Sequence, residues 1–106
     1  MEYPTKGGYE FNTFATTAVT LSTTSSGTIL AANSTRIYAR VTNPDSSTRS
    51  RLTIWLGEPA FKTSGIFLDR GQSWETDRER LWRGSITGIN NTVTAIKVIV
   101  TEGYTA

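Results

Sequence analysis

The 106 residues suffice for one domain and one hydrophobic core, and a formal charge of +2, from eleven basic against nine acidic side chains, is too small an excess for a dedicated polyanion binder. With no cysteine and no histidine, disulfides, thiolate and imidazole metal sites, Cys nucleophiles and Ser-His-Asp triads are excluded. No apolar run approaches the roughly 20 residues of a membrane-spanning helix, and the opening MEYPTKGGYEF lacks the basic and apolar blocks of a secretory signal, so a soluble chain without a nucleic-acid or membrane partner is expected.

Residues 1–15 read as an arm. Tyr3, Tyr9, Phe11 and Phe14 surround Gly7-Gly8 without alternation, and so many aromatic rings are costly to leave in water. The segment is therefore expected to lie along its own domain or on a neighbouring subunit. From Thr16 to the C-terminus the dominant period is two, the mark of β-strands, and residues 16–106 are expected to form the domain.

In TTAVTLS (16–22), Thr17, Val19 and Leu21 alternate with Thr16, Ala18 and Thr20, and TILAA begins a second run after a Ser/Thr turn. TRIYARVTN (35–43) puts Ile37, Ala39 and Val41 on a core face and Arg36, Tyr38, Arg40 and Thr42 on a wet one. After the NPDSSTRS loop, RLTIWLG sends Leu52, Ile54 and Leu56 inward and exposes Thr53 and Trp55, and this run is expected to pair with the strand before it. GIFLDRG and QSWET flank an Asp-Arg-Gly turn as a hairpin candidate. WRGSITGI and TVTAIKVIVTE surround a second candidate turn at Asn90-Asn91. Seven or eight short strands of this kind predict an all-β, single-domain antiparallel β-sandwich of jelly-roll or other Greek-key type, since a single sheet would leave one apolar face uncovered.

The stretch RGQSWETDRERLWRG (70–84) concentrates four of the eight arginines and two of the three tryptophans. Thr76 and Glu79 have the spacing of a capping box, so 75–83 is the one segment that could turn helically, for one or two turns. Glu75, Asp77 and Glu79 alternate with Arg78 and Arg80. Such interleaved charge favours a salt-bridged rim over an acid and base with separated pKa values, and no catalytic residue, metal ligand or cofactor site is assigned. Arginine beside tryptophan is the composition of interface anchors, which makes Trp74, Arg78, Arg80 and Trp82 candidates for subunit or capsid contact, together with Tyr3, Tyr9, Phe11 and Phe14 of the arm. Trp55 is the candidate for stacking on a glycan.

A set of ordered phrases, ILAANSTRIYARVTN, LTIWLGEPA, SGIFLDRGQSWET, LWRGSITGI and TAIKVIVTEG, resembles small β-sandwich virion proteins of tailed bacteriophages, over about Thr16 to Gly103. The resemblance implies a capsid decoration (cement) or head-fibre protein without enzymatic activity, frequently trimeric, bound to the major capsid protein at the outer surface of the head. It also implies that the charged residues of 70–84 gather at one end of the sandwich. A glycan-binding or receptor-binding module, and a minor tail or neck protein, are the alternative expectations.

Overall fold

The computed structural model describes residues 12–47, 49–76, 80–92 and 96–105. They form eight strands: β1 (Asn12–Leu21), β2 (Gly27–Leu30), β3 (Arg36–Thr42), β4 (Arg51–Leu56), β5 (Ile66–Asp69), β6 (Ser73–Thr76), β7 (Ile86–Asn90) and β8 (Ile96–Thr105). Two four-stranded sheets result, ordered β1-β8-β3-β6 and β2-β7-β4-β5, with antiparallel pairing throughout. This is a jelly-roll sandwich, and the expected all-β fold stands. β1 starts at Asn12, so the last four residues of the fifteen-residue arm are strand, paired with β8 from Asn12↔Thr105 onward. Tyr3, Tyr9 and Phe11 lie outside the described residues.

Three expected pairings are replaced. β3 and β4, β5 and β6, and β7 and β8 are consecutive in the chain but lie in opposite sheets, so none is a hairpin. Alternation tells a strand which face is apolar and leaves its partner open. The connections instead arch between the layers and are fixed by polar groups at their roots. At the end of the sandwich where β3 finishes, Asn43 is fully buried. Its Nδ2 donates to Ser50 Oγ (2.9 Å) and to the Leu68 carbonyl (3.1 Å), and its backbone N–H donates to the Gln72 carbonyl. One side chain therefore ties the β3–β4 loop to the β5–β6 arch.

The core lies between the layers: Leu21, Ile29, Ala39, Val41, Leu52, Ile54, Leu68, Ile86, Ile96, Val98 and Val100 are all buried. Each fully buried Val, Leu or Ile contributes roughly 1.5–3 kcal/mol of transfer free energy. Of these, Ala39, Val41, Leu52 and Ile54 lie inside as the alternation expects, whereas two residues expected outside, Arg36 and Thr53, are buried.

Arg36, expected on the wet face, is completely buried. The β3–β8 register slips between Arg36 and Tyr38, which pair with Tyr104 and Gly103, and this bulge turns Arg36 inward without disturbing the alternation beyond it. Thr53, expected to be exposed, is also fully buried, because residues 57–64 fold back over the outer face of the second sheet. Thr53 Oγ1 donates to the Lys62 carbonyl (3.1 Å), Thr87 Oγ1 to the Gly57 carbonyl (2.8 Å), and Asn91 Nδ2 to both Lys62 O and Thr53 Oγ1. β7 is thus covered on both faces, and all five of its residues are buried.

Candidate interaction surfaces

The 70–84 stretch is distributed along the molecule instead of gathering at one end. Arg70 lies in the arch after β5, and its Nη1 donates to the Ser46 carbonyl (3.3 Å). Arg83 lies at the opposite end of the sandwich, where its Nε donates to the Arg36 carbonyl (2.9 Å). No residue of the stretch is helical among the described ones, since Glu75 and Thr76 are in β6; Arg78 lies outside the described residues. Arg80 is exposed, whereas Trp74 and Trp82 are half-buried and pack against their own core. Trp82 donates Nε1–H to the Ser85 carbonyl (2.9 Å) and closes against Gly84, whose missing Cβ leaves room for the ring. Both indoles contact the domain's own core, and that of Trp82 is hydrogen-bonded within it.

What holds the Trp82 segment in place is Arg36. Its Nε donates to Glu102 Oε2 (2.9 Å), its Nη1 to the carbonyls of Trp82 and Gly84 (2.9 and 2.8 Å), and its Nη2 to the Ala31 carbonyl (2.7 Å). A planar fork with five fixed donors suits this work better than an ammonium, because it reaches several acceptors from one buried position. The loops before β3 and before β7 and the end of β8 are joined at one point. Nothing in the alternation marked this residue.

On the outer face of the second sheet, β4 and β5 present Arg51 opposite Asp69 and Thr53 opposite Phe67, with Trp55 beyond. Phe61 and Phe67 are exposed, and the Arg51 guanidinium lies 5.2 Å from the Phe67 ring centre. Trp55 is 36% exposed and borders a recess of about 280 Å³ formed with Ile54, Leu56, Gly65 and Ile66. These side chains are apolar, whereas a sugar site also needs converging polar groups that fix the hydroxyls.

Arg51 donates to both oxygens of Asp69, Nε to Oδ1 at 2.7 Å and Nη2 to Oδ2 at 3.3 Å. That hydrogen bond holds the Asp69 carboxyl below its ordinary range; slight burial pulls the other way, and the charge of Arg51 adds to the lowering. The same bond raises Arg51. Because the folded carboxyl is the stronger acid, the pair's contribution is complete above the unfolded value of about 3.9 and is lost as pH falls through the lower folded value. Carbon-detected NMR titration is expected to place the Asp69 midpoint below about 3.9, and Arg51→Gln to move it back up. A midpoint already at the ordinary value would contradict the pairing. Both side chains are about half exposed, so their loss should barely move the melting temperature.

The sheet edges differ sharply. β2, β5 and β6 are four residues each; β2 has a register shift between Thr28 and Leu30, β5 carries Asp69, and β6 carries Glu75. β1 is ten residues, NTFATTAVTL, with no charge, proline or glycine, and it pairs with β8 in unbroken register. Residues 13–18 are exposed on both faces of the strand. Phe14, assigned to the arm, is 59% exposed, lies against Gly103 and meets Tyr38 with ring centres 6.2 Å apart. Sequence reasoning located this strand from Thr16 and named only Phe14 of its residues as a contact candidate; the run of ten uncharged residues is the feature it left unremarked.

No family model and no curated protein matches the sequence. Among solved structures, the chain is similar to one from Bacillus endospore appendages, described as forming a novel family of disulfide-linked pili. The likeness has a TM-score of 0.55 at 17% identity and covers 99% of this chain and 98% of that one. At this identity the likeness establishes a shared fold.

Proposed function

We propose that the protein is a non-enzymatic structural subunit of an external assembly and, within that class, a decoration protein attached as an oligomer to the outer shell of a tailed-phage head. The observation that carries the reading is the end-to-end likeness to a structure from a bacterial appendage, which covers 99% of this chain and 98% of that one. Two further points support it. The phrases from ILAANSTRIYARVTN to TAIKVIVTEG resemble small phage virion proteins, and the fully buried polar side chains of Arg36 and Asn43 are engaged in fastening loops. The pili of the similar structure are described as disulfide-linked, but these 106 residues contain no cysteine, so contacts between copies of this stretch would have to form without disulfides.

Quantitative mass spectrometry of purified virions tests the reading through the ratio of this chain to the major capsid protein. A ratio from several tenths to one is expected for a shell-wide decoration. A few per cent would move the protein to the tail or neck, and its absence from particles would overturn the virion assignment.

A further inference from the structure

We propose that β1 is a self-association strand: two copies of this chain pair β1 with β1, antiparallel about a two-fold axis, joining their four-stranded sheets into one sheet of eight. The inference deepens the structural-subunit reading and rests on it. The observation behind it is the contrast among the four sheet edges. A strand at a sheet edge presents a row of unpaired N–H and C=O groups, and soluble proteins blunt such rows with short strands, charges, prolines or bulges. β2, β5 and β6 are each short, and each has a register shift or an acidic residue as well. β1 has none of these devices, and among the described residues its other side has no strand.

The exposure pattern points the same way. Phe14, Thr16 and Ala18 share the outward face of the sheet, while Thr13, Ala15 and Thr17 share the face that looks toward the second layer. All six are nevertheless exposed. Farther along, Val19 is half-buried and Leu21 is in the core.

A second copy is the occupant that fits this strip. Ten residues pair best with ten, and the other three edges offer four each. The strip is uncharged, so bringing two copies together opposes no like charges. An isologous pairing satisfies both β1 edges at once and leaves no β1 edge open for further addition, whereas pairing β1 to a different edge would leave a β1 edge open and propagate. Rotation about an axis normal to the sheet keeps each face on its own side, so Phe14, Thr16 and Ala18 of both copies lie together on one face.

The test uses the full chain. Sedimentation velocity of wild type at tens to hundreds of micromolar is expected to show a monomer–dimer equilibrium. Thr17→Lys combined with Ala18→Lys, at exposed positions on opposite faces, is expected to raise the dimer dissociation constant about tenfold or more by setting like charges against each other. Ser73→Lys on the β6 edge is expected to leave it unchanged, and circular dichroism verifies that each variant is folded. Because the chain has no cysteine, single Cys substitutions at Ala15, Thr16, Thr17 and Ala18 give a second readout: disulfide-linked dimers should peak at the residue nearest the two-fold axis, where it meets its own copy. A monomer at all concentrations, an oligomer indifferent to the β1 lysines, or a cysteine scan without a peak would each overturn the proposal. Failure of the virion reading is separable, since a β1-dependent dimer absent from particles would sink that reading and leave this one standing.

Discussion

Replacing Arg36 by methionine is expected to lower folding stability by about 3–5 kcal/mol, measured by urea unfolding followed by circular dichroism. Methionine supplies comparable apolar volume, so the loss comes from the groups left behind. Glu102, whose side chain is only 16% exposed, loses its Nε–H donor, and the carbonyls of Ala31, Trp82 and Gly84 lose theirs. A buried acceptor without a partner costs about 1–3 kcal/mol, and more when it is charged. Arg36→Lys should recover only part of the loss, since an ammonium cannot reproduce a fork that reaches four acceptors. Pairing Arg36→Met with Glu102→Leu should be less damaging than Arg36→Met alone, because the orphaned charge is then removed as well. A loss below about 1 kcal/mol for Arg36→Met would show that water replaces the guanidinium and that the network is not what holds these loops.

Gly65→Ala is expected to cost about 3 kcal/mol, by thermal or chemical denaturation. Gly65 has φ +130°, a conformation that side chains rarely adopt, and a Cβ there would sit 2.6 Å from the Ile54 carbonyl oxygen and 2.9 Å from Thr53 Cγ2. Neither neighbour can yield: one is backbone of the adjacent strand and the other is locked under the 57–64 fold-back. Gly71→Ala is the control. Its φ is +74° but nothing lies within 4 Å of the added methyl, so only the left-handed penalty of about 1–2 kcal/mol is expected. Equal losses at the two positions would mean that the crowding at Gly65 relaxes at no cost.

Much of the sandwich was legible because half-buried strands alternate, and Ala39, Val41, Leu52 and Ile54 followed the pattern into the core. The misreadings share a cause. Alternation along one strand carries no information about what crosses over it or which strand lies beside it. Thr53 alternates as an outward residue and is one, but a distant loop covers it. Arg36 alternates as an outward residue and is turned in by a bulge that no local residue announces. The expected hairpins failed for the same reason, because a turn-forming Asn90-Asn91 serves an arch between sheets as well as it serves a hairpin. The arginine and tryptophan of 70–84 drew attention, yet Trp74 and Trp82 are spent on the domain's own core, while the plain run of threonine and alanine in β1 holds the open edge.

Concentration-dependent amide hydrogen exchange tests the claim that this open edge is where the chain meets its like. The β1 amides that point away from β8 have no partner strand among the described residues and should exchange fast in dilute solution. Their exchange is predicted to slow as concentration rises through the dimer range, while β6 amides keep their rates. Unchanged β1 exchange across that range, or protection arising at β6 instead, would contradict the account.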